Sequence, residues 1–309
     1  MHKYIIKRLL YLIPVLLGVS FIIFTMMYLT PGDPARMMLG DAAPPEAIEA
    51  LREQLGLNDP FLIQYGNWLR RLILEGDAGV SYQTGRSVMG EILERFPATL
   101  QLATAGVVVS VSIGIPLGII SATKQYSIFD KLSMFFALIG VSMPAFWQAM
   151  LLILLFSLHL GWLPPSGLGT FNHLILPAIT IGTGSAAIIA RMTRSSMLEI
   201  IRQDYIRTAR AKGQVEFVVT TRHALKNALI PIITVVGLQF GALLGGAVLT
   251  ESVFSIPGIG RLMVDSISNR DFPVVQGGVL FIAVTFSLIN LLVDIVYAFV
   301  DPRIKSQYR

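Results

Sequence analysis

The sequence contains no cysteine, and only 14% of its 309 residues are charged. Without cysteine the chain can form neither disulfides nor thiolate metal sites, so the residues do not reveal a redox compartment. Soluble domains carry charge on about a quarter of their residues, whereas here 54% of the residues are hydrophobic. The shortage of charge indicates that lipid is the solvent for much of the chain.

The sequence also lacks the motifs of nucleotide and hydrolytic chemistry. It contains no GxxxxGKS/T phosphate loop, no GxSxG nucleophile motif and no HExxH metal motif. The four histidines, His2, His159, His173 and His223, lie in different segments. We therefore expect a non-enzymatic chain that builds no metal site and binds no cofactor of its own.

The sequence contains six long apolar segments. A bilayer core requires about 20 helical residues, and backbone groups in lipid must be satisfied internally. We therefore predict an all-α polytopic membrane protein with six transmembrane helices at about residues 9–30, 98–122, 132–158, 174–191, 229–250 and 276–300. The first segment ends in TPGDP rather than in a cleavage site, so we interpret it as a retained span. Pro116, Pro144 and Pro177 are predicted to kink or start helices.

Lysine and arginine are unevenly distributed between the segments that separate these spans. The odd-numbered segments hold 16 of them and the even-numbered segments hold 8. Because cytoplasmic loops are enriched in Lys and Arg, both termini and the loop 192–228 are predicted to be cytoplasmic. Topology thus accounts for the net charge of +5, and no nucleic-acid partner is expected. For the loop itself, contact with anionic lipid is an alternative interpretation.

Two parts are predicted along the chain. Residues 1–97 hold the first span and a folded extracytoplasmic segment, and residues 98–309 hold the other five spans with the loop 192–228. In the extracytoplasmic segment, PPEAIEALREQLGL has proline at its start and glycine near its end, which predicts a short helix. The stretch DPFLIQYGNWLRRLIL predicts a second helix, with Asp59 as its N-cap and Pro60 at its first position.

Asp294 is the charged residue that lies most clearly inside a predicted span. Intramembrane charges are functional by default, although Asp294 could instead pair near the inner interface with a cation on a neighbouring helix. Similarly, the small residues of GLQFGALLGG in the fifth span allow either close helix packing or a pathway lined by broken helices.

A self-contained secondary transporter would need several buried ionisable groups or inverted repeats, and a polytopic enzyme would need a catalytic cluster. Neither feature is evident.

The loop 192–228 has the pattern of two short helices separated by Gly213. The stretch SSMLEIIRQDYIRTARAKGQVEFVVTTRHALKNALIP has helix formers on both sides of this glycine and reaches Pro231, where the fifth span begins. Its cations suit an acidic or polar protein groove. A folded element fixed to two spans could transmit force between a partner and a pore.

This loop resembles the coupling loop of binding-protein-dependent ABC importer permeases, whose pattern is Glu-Ala-Ala, three residues, Gly, nine residues and Ile-x-Leu-Pro. Aligned on Gly213, the pattern falls on Arg207, Thr208 and Ala209, then on His223, Ala224, Leu225 and Lys226. Arg207 in place of glutamate and Lys226 in place of proline are typical of the peptide/nickel branch. Further stretches that resemble this branch are PGDPAR, LGLNDPFLIQYGNWL, GVSMPAFW, ARMTRSSMLE, ESVFSIPGIGRLMVDSI, RDFPVVQGGVL and NLLVDIVYAFVDPRI.

The resemblance implies a type I ABC importer permease fold in a bacterial or archaeal cytoplasmic (inner) membrane. The implied partners are a homologous second permease, two cytoplasmic ATPase subunits that hold ATP and magnesium, and an extracytoplasmic substrate-binding protein. The implied substrates are dipeptides or oligopeptides, with nickel, another chelated metal or glutathione as alternatives. Selectivity would lie largely in the binding protein.

Two sets of site residues follow from the resemblance. The set implied to couple to the ATPase is Arg207, Thr208, Ala209, Lys212, Gly213, Glu216, Val218, Val219, His223 and Leu225. Within it, Arg207, Lys212 and Glu216 are expected to make polar contacts, and the Val218–Val219 pair to fill an apolar spot. The set implied at the outer gate and at the docked binding protein is Glu251, Pro257, Gly258, Gly260 and Arg261.

Overall fold

The computed structural model describes residues 2–40 and 42–300. Within these ranges the chain is helical apart from turns, loops and an isolated antiparallel bridge between Val80 and Ser87. The α-helices are α1 His2–Leu29, α2 Pro34–Leu39, α3 Pro45–Leu55, α4 Phe61–Arg70, α5 Val88–Thr123, α6 Ile128–Ser142, α7 Ala145–Leu152, α8 Phe171–Ile201, α9 Asp204–Ala211, α10 Glu216–Val218, α11 Lys226–Gly246, α12 Val248–Val253, α13 Ile259–Ser268 and α14 Phe272–Val300. The π-helical turns are Arg71–Glu75, Ile153–His159 and Val219–Leu225.

Long apolar helices dominate the fold, as predicted. The stretches long and apolar enough to cross a bilayer are Arg8–Leu29, Val88–Thr123, Phe171–Ile201, Glu216–Gly245 and Phe272–Val296. Each overlaps one of the predicted spans. The all-helical membrane architecture is therefore confirmed, with five candidate spans in the described part of the chain.

The third predicted span, 132–158, is not one straight helix. It is a pair, Ile128–Ser142 and Ala145–His159, bent by 103°. The bend falls before Pro144, because a residue that precedes proline disfavours the helical conformation, and Met143 is extended with φ −83° and ψ 123°. The pair counts as a sixth span if it crosses the membrane.

Two helices extend well beyond the apolar windows that predicted them. Helix α5 starts at Val88 rather than near residue 98, because the Ser87 side chain accepts a hydrogen bond from the Gly90 N–H and caps the first turn. Helix α8 continues to Ile201 rather than ending near 191. The predicted boundary at 97/98 thus lies inside a continuous helix.

The segment predicted to be extracytoplasmic contains the two predicted short helices. Helix α3 ends at Gly56, which has the left-handed φ of +68°, and its prediction is confirmed. The predicted cap of α4 is wrong: Pro60 occupies the N-cap position, and no side chain caps this helix. The backbone carbonyl of Asp59 instead accepts a hydrogen bond from Gln64 Nε2 at 2.8 Å.

The first and last long helices pack against each other, and α14 also packs on α11. Arg8 Nη2 on α1 lies 3.1 Å from Asp294 Oδ2 on α14, so the pairing interpretation of Asp294 is confirmed. On α11, a Cβ added at Gly237 would lie 2.1 Å from Val293. The small residues of the fifth span therefore serve close packing against α14.

Candidate functional site

The predicted helix–turn–helix is present as a basic hairpin, residues 204–225. It consists of α9, a turn around Gly213, α10 and the π-helical turn that continues into α11. Only two residues separate the end of α8 at Ile201 from the start of α9 at Asp204. The hairpin is therefore attached directly to two of the long helices.

A buried apolar cluster fixes the hairpin to those two helices. Ile206 and Val219 are 0% and 1% exposed and pack in the same cluster as Met197 of α8 and Ile232 of α11. Each fully buried aliphatic side chain contributes about 1.5–3 kcal/mol. Asn227 Nδ2 donates a hydrogen bond of 2.9 Å to the Tyr205 hydroxyl, which adds a polar link. The hairpin is therefore packed on α8 and α11 and is not held by its two ends alone.

The turn of the hairpin depends on Gly213 and on an ion pair across it. Gly213 has φ +75°, a left-handed conformation that proline cannot adopt. Arg210 donates from Nε to Glu216 Oε2 at 3.0 Å and from Nη2 to Oε1 at 2.7 Å. The hydrogen bonds to Glu216 raise the pKa of Arg210 above its ordinary value. Glu216, predicted to contact a partner, thus has both carboxylate oxygens engaged within the chain.

The predicted coupling residues separate into an exposed and a buried group. Exposed are Arg207, Thr208, Lys212, Gly213 and Glu216; half-buried are Val218, His223 and Leu225; buried are Ala209 and Val219. The structure corrects one expectation, because the Val219 side chain lies in the apolar cluster and is not presented to a partner.

Two apolar residues at the tip of the hairpin were missed. Val215 is 69% exposed and Phe217 is 74% exposed. They follow the Gly213 turn at positions that cannot reach the cluster beneath the hairpin. Their signal in the sequence is two large apolar residues that alternate with polar ones just after the turn glycine of a basic loop.

The outer set of predicted residues is organised around the carboxylate of Glu251. This residue is 0% exposed. It accepts hydrogen bonds from Thr99 Oγ1 at 2.7 Å and from the Arg261 N–H at 2.9 Å. Thr99 Oγ1 accepts in turn from the Ile259 N–H at 2.8 Å. Glu251 thus joins α5, α12 and the start of α13.

The two glycines of this set allow the backbone to reach that carboxylate. A Cβ added at Gly258 would lie 2.2 Å from Glu251 Cδ, and one at Gly260 would lie 2.9 Å from Glu251 Oε2. Both glycines are buried, whereas Pro257 is exposed and Arg261 is half-buried. The structure corrects the expectation that all five residues present a docking surface, since only Pro257 and Arg261 reach it.

Metal-ligating residues do not cluster in the described ranges. Across residues 2–40 and 42–300, no group of three or more His, Asp or Glu side chains could hold a metal ion. His173 hydrogen-bonds to Thr170 at the start of α8, and His159 Nδ1 lies 2.9 Å from the Leu154 carbonyl. These contacts are local to each segment.

Comparison with known families covers almost the whole chain. Residues 114–306 match the family described as "Binding-protein-dependent transport system inner membrane component". Residues 1–103 match "Binding-prot-dependent transport system membrane comp, N-term".

Curated relatives match over their full length. A "Dipeptide transport system permease protein DppB" of Alkalihalophilus pseudofirmus is 49% identical, with 99% of this chain and 100% of the relative covered. A "Glutathione transport system permease protein GsiC" of Escherichia coli K12 is 46% identical, with 99% of each chain covered.

Solved structures show the same fold. A chain from the inward-facing MetNI methionine ABC transporter aligns with a TM-score of 0.60 at 19% identity, covering 69% of this chain and 97% of that chain. A chain of an amino acid ABC transporter aligns with a TM-score of 0.50 at 16% identity. The chain therefore belongs to the inner-membrane components of binding-protein-dependent transport systems, and is a non-catalytic, multi-pass permease subunit of an ABC importer.

Proposed function

We propose that this permease forms half of a type I importer pore, together with a homologous second permease, and that its basic hairpin docks on a cytoplasmic ATPase subunit. The supporting observation is the hairpin itself. Its buried cluster fixes it to α8 and α11, while Arg207, Lys212 and Phe217 face outward. This arrangement suits an element that transmits displacement into the membrane.

The proposed mechanism is a rigid-body movement. When two ATPase subunits close around ATP and magnesium, the hairpin follows the subunit on which it sits. Because Met197 of α8 and Ile232 of α11 share the hairpin's core, the movement passes to both helices and shifts the pore between inward- and outward-facing states. The nucleotide belongs to the partners in this proposal, and the chain contributes no phosphate loop.

Different residues on the hairpin surface are proposed to provide the affinity for the ATPase and the orientation of the bound complex. Exposed aromatic residues are typical anchors of an interface, so Phe217, beside Val215, supplies the apolar contact. Arg207 and Lys212 lie at the rim, where charges steer association and fix its register. The proposed docking site on the ATPase is thus an apolar pocket with a polar or acidic margin.

On the outer side we propose that α12 and α13 form part of the gate beneath the loaded binding protein. Glu251 fixes the turn between the two helices, which leaves Pro257 and Arg261 for contact. The folded segment 31–97 would extend the docking surface. Charges introduced at Pro257 should impair uptake and leave basal ATP hydrolysis intact.

The proposed substrates are dipeptides and other short peptides. Support comes from the full-length relatives, whose names give dipeptide and glutathione transport. Nickel or another chelated metal, the alternative implied by the branch, has no comparable support in these two relatives. Mass spectrometry of the material released from the denatured partner binding protein would identify the substrate.

The coupling proposal is tested with Gly213→Pro in the assembled importer, reconstituted in proteoliposomes with its binding protein. The variant should insert normally but lose the stimulation of ATP hydrolysis by loaded binding protein. Gly161→Pro is the matched control, because Gly161 also has a positive φ of +64° and open space around it, in the loop that follows α7 and outside the proposed docking surface. Retained stimulation in Gly213→Pro, or an equal loss in both variants, would contradict the proposal.

A further inference from the structure

An open cavity of about 710 Å³ lies between the turn that joins α5 to α6, the end of α8 and helix α9 of the basic hairpin. Its lining contains four cations, and none of the described residues that line it is acidic. The cations are Lys124, Arg202, Arg207 and Arg210. This space, called here the basic cavity, is therefore a place where an anion is attracted.

The two cations that the hairpin contributes already have acids nearby. Arg210 donates two hydrogen bonds to the carboxylate of Glu216. Arg207 Nη1 lies 3.7 Å from Asp204 Oδ1. The charges of these two arginines are thus partly balanced within the hairpin itself.

The other two cations of the basic cavity have only neutral neighbours. Arg202 Nη2 donates to the amide oxygen of Gln125 at 3.4 Å, and Lys124 Nζ lies 4.2 Å from the centroid of the Phe129 ring. Both side chains belong to exposed residues. Among the described residues neither forms an ion pair, so both charges are available to a ligand.

An ion pair beside the cavity indicates the depth of this site. Asp130, in the first turn of α6, lies 3.0 Å from Arg194 of α8, and charges are costly within the hydrocarbon. Leu198 and Arg202 follow Arg194 by four and eight residues, which corresponds to about 6 and 12 Å along the helix towards the hairpin. Because the headgroups add about 5–7 Å to each face of the hydrocarbon, the part of the cavity near Leu198 lies at headgroup level.

An exposed apolar face of α6 begins at the cavity. Phe129 lines the cavity and is itself exposed. Leu132, Phe136 and Ile139 follow on the same side of the helix and are also exposed. Exposed apolar surface of this kind marks contact with a membrane or a partner. A molecule with an anionic head and an apolar tail can therefore contact the cavity and this face together.

We propose that the basic cavity binds the headgroup of an anionic phospholipid of the cytoplasmic leaflet. Its phosphate accepts hydrogen bonds from Lys124 and Arg202, and an acyl chain lies against Phe129 and the apolar face of α6. A lipid with net negative charge is favoured over a zwitterionic one, because no described residue of the lining can pair with an ammonium group. Basic pockets between helices on the cytoplasmic side are typical sites for such headgroups.

The test is native mass spectrometry of the assembled importer in nanodiscs that contain equal amounts of phosphatidylglycerol and phosphatidylethanolamine. Phosphatidylglycerol should be enriched among the lipids that remain bound after release from the nanodisc. Lys124→Gln and Arg202→Gln should each lower the retained phosphatidylglycerol about fivefold, the factor expected for one cation at a membrane surface. The double variant should lose most of the enrichment.

Lys131→Gln and Arg222→Gln are the matched controls. Lys131 on α6 and Arg222 in the hairpin are both exposed, and neither lines the cavity. Each variant also removes one positive charge from the side of the molecule predicted to be cytoplasmic. Unchanged retention in these controls would separate binding in the cavity from a general attraction of anionic lipid to basic loops.

Several results would overturn the proposal. Equal losses in the cavity variants and the controls would indicate general attraction, and equal retention of the two lipids would exclude a selective headgroup site. Retention of inorganic phosphate in place of lipid would mean that the cavity binds a free anion.

The ATPase is the other occupant that the test can detect. If Lys124→Gln and Arg202→Gln lowered the amount of co-purified ATPase and left lipid retention unchanged, the cavity would belong to an acidic part of that subunit. The lipid readout does not depend on coupling through Gly213, so the two proposals can fail separately.

Discussion

At the residue scale, the buried carboxylate of Glu251 holds together the pair of helices α12 and α13, called here the outer element. Glu251 is fully buried, and its acceptors are used by Thr99 Oγ1 and by the Arg261 N–H in the first turn of α13. A carboxylate at the start of a helix also interacts favourably with the helix dipole. These hydrogen bonds therefore hold α12 and the start of α13 in a fixed arrangement against α5.

This close contact predicts a large effect from a single methyl group. Gly258→Ala places a Cβ 2.2 Å from Glu251 Cδ, so the backbone must shift, at a cost of about 1–3 kcal/mol. We expect a lower melting temperature in detergent and reduced uptake. Gly66→Ala is the control, since nothing lies within 4 Å of a Cβ at this helical position. Equal melting temperatures for the two variants would contradict the assignment.

The Arg210–Glu216 pair allows a charge-exchange test. Arg210→Glu and Glu216→Arg alone should each reduce binding-protein-stimulated ATP hydrolysis, because each opens the bond across the Gly213 turn. The double variant should recover much of it. The side chains are 39% and 60% exposed, so the effect on stability should stay below about 1 kcal/mol. No recovery in the double variant would mean that the two side chains contact the ATPase themselves.

At the scale of elements, the basic hairpin combines a buried inner face with an apolar tip. The inner face, with Ile206 and Val219, is fixed to two helices, and the tip exposes Val215 and Phe217. Exposed aromatic residues on a folded element are characteristic of interfaces. The tip is therefore the part of the hairpin where affinity for a partner should concentrate.

Phe217→Ser should weaken association with the ATPase about tenfold, as expected for loss of an aromatic anchor. The measurement is the amount of ATPase that co-purifies across a concentration series. Ile128→Ser is the matched control, because Ile128 is also apolar and 62% exposed but lies at the start of α6, outside the hairpin. Comparable losses in the two variants would argue against an anchor at the tip.

The elements also show which features local sequence determines. Apolar length identified the long helices, and Gly56 correctly marked the end of α3, because both signals are local. The start of α5 at Val88 was missed, since the charged Glu91, Glu94 and Arg95 interrupt the apolar pattern there and the start depends on the Ser87 cap. Glu251 and Thr99 lie far apart in the chain, so the burial of this acid could not be predicted from the residues next to it. The prediction that Val219 contacts a partner was wrong for a similar reason, because the burial of Val219 depends on packing against α8.

At the scale of the whole molecule, the bent pair α6–α7 decides whether the chain has five or six spans in its described part. The chain contains no cysteine, so any introduced cysteine is its only thiol. Tyr126, before α6, is 80% exposed, and Trp162, after α7, is 68% exposed. These positions report the two ends of the bent pair.

We expect the pair to cross the membrane. Tyr126→Cys and Phe217→Cys should react with an impermeant maleimide only in inside-out vesicles, and Trp162→Cys and Val80→Cys only in right-side-out vesicles. This pattern would establish six spans with both termini in the cytoplasm. Reaction of positions 126 and 162 from the same side would instead show that α6 and α7 form a re-entrant loop.

The contact between Arg8 and Asp294 has a consequence for biogenesis. Helix α1 leaves the ribosome well before α14, the helix against which it packs and which carries the carboxylate that meets its arginine. Helix α1 must therefore stay in lipid or beside the insertion machinery until α14 has been synthesised. Premature termination before Phe272 would release a polypeptide in which α1 lacks this packing partner and its Arg8 lacks the carboxylate of Asp294.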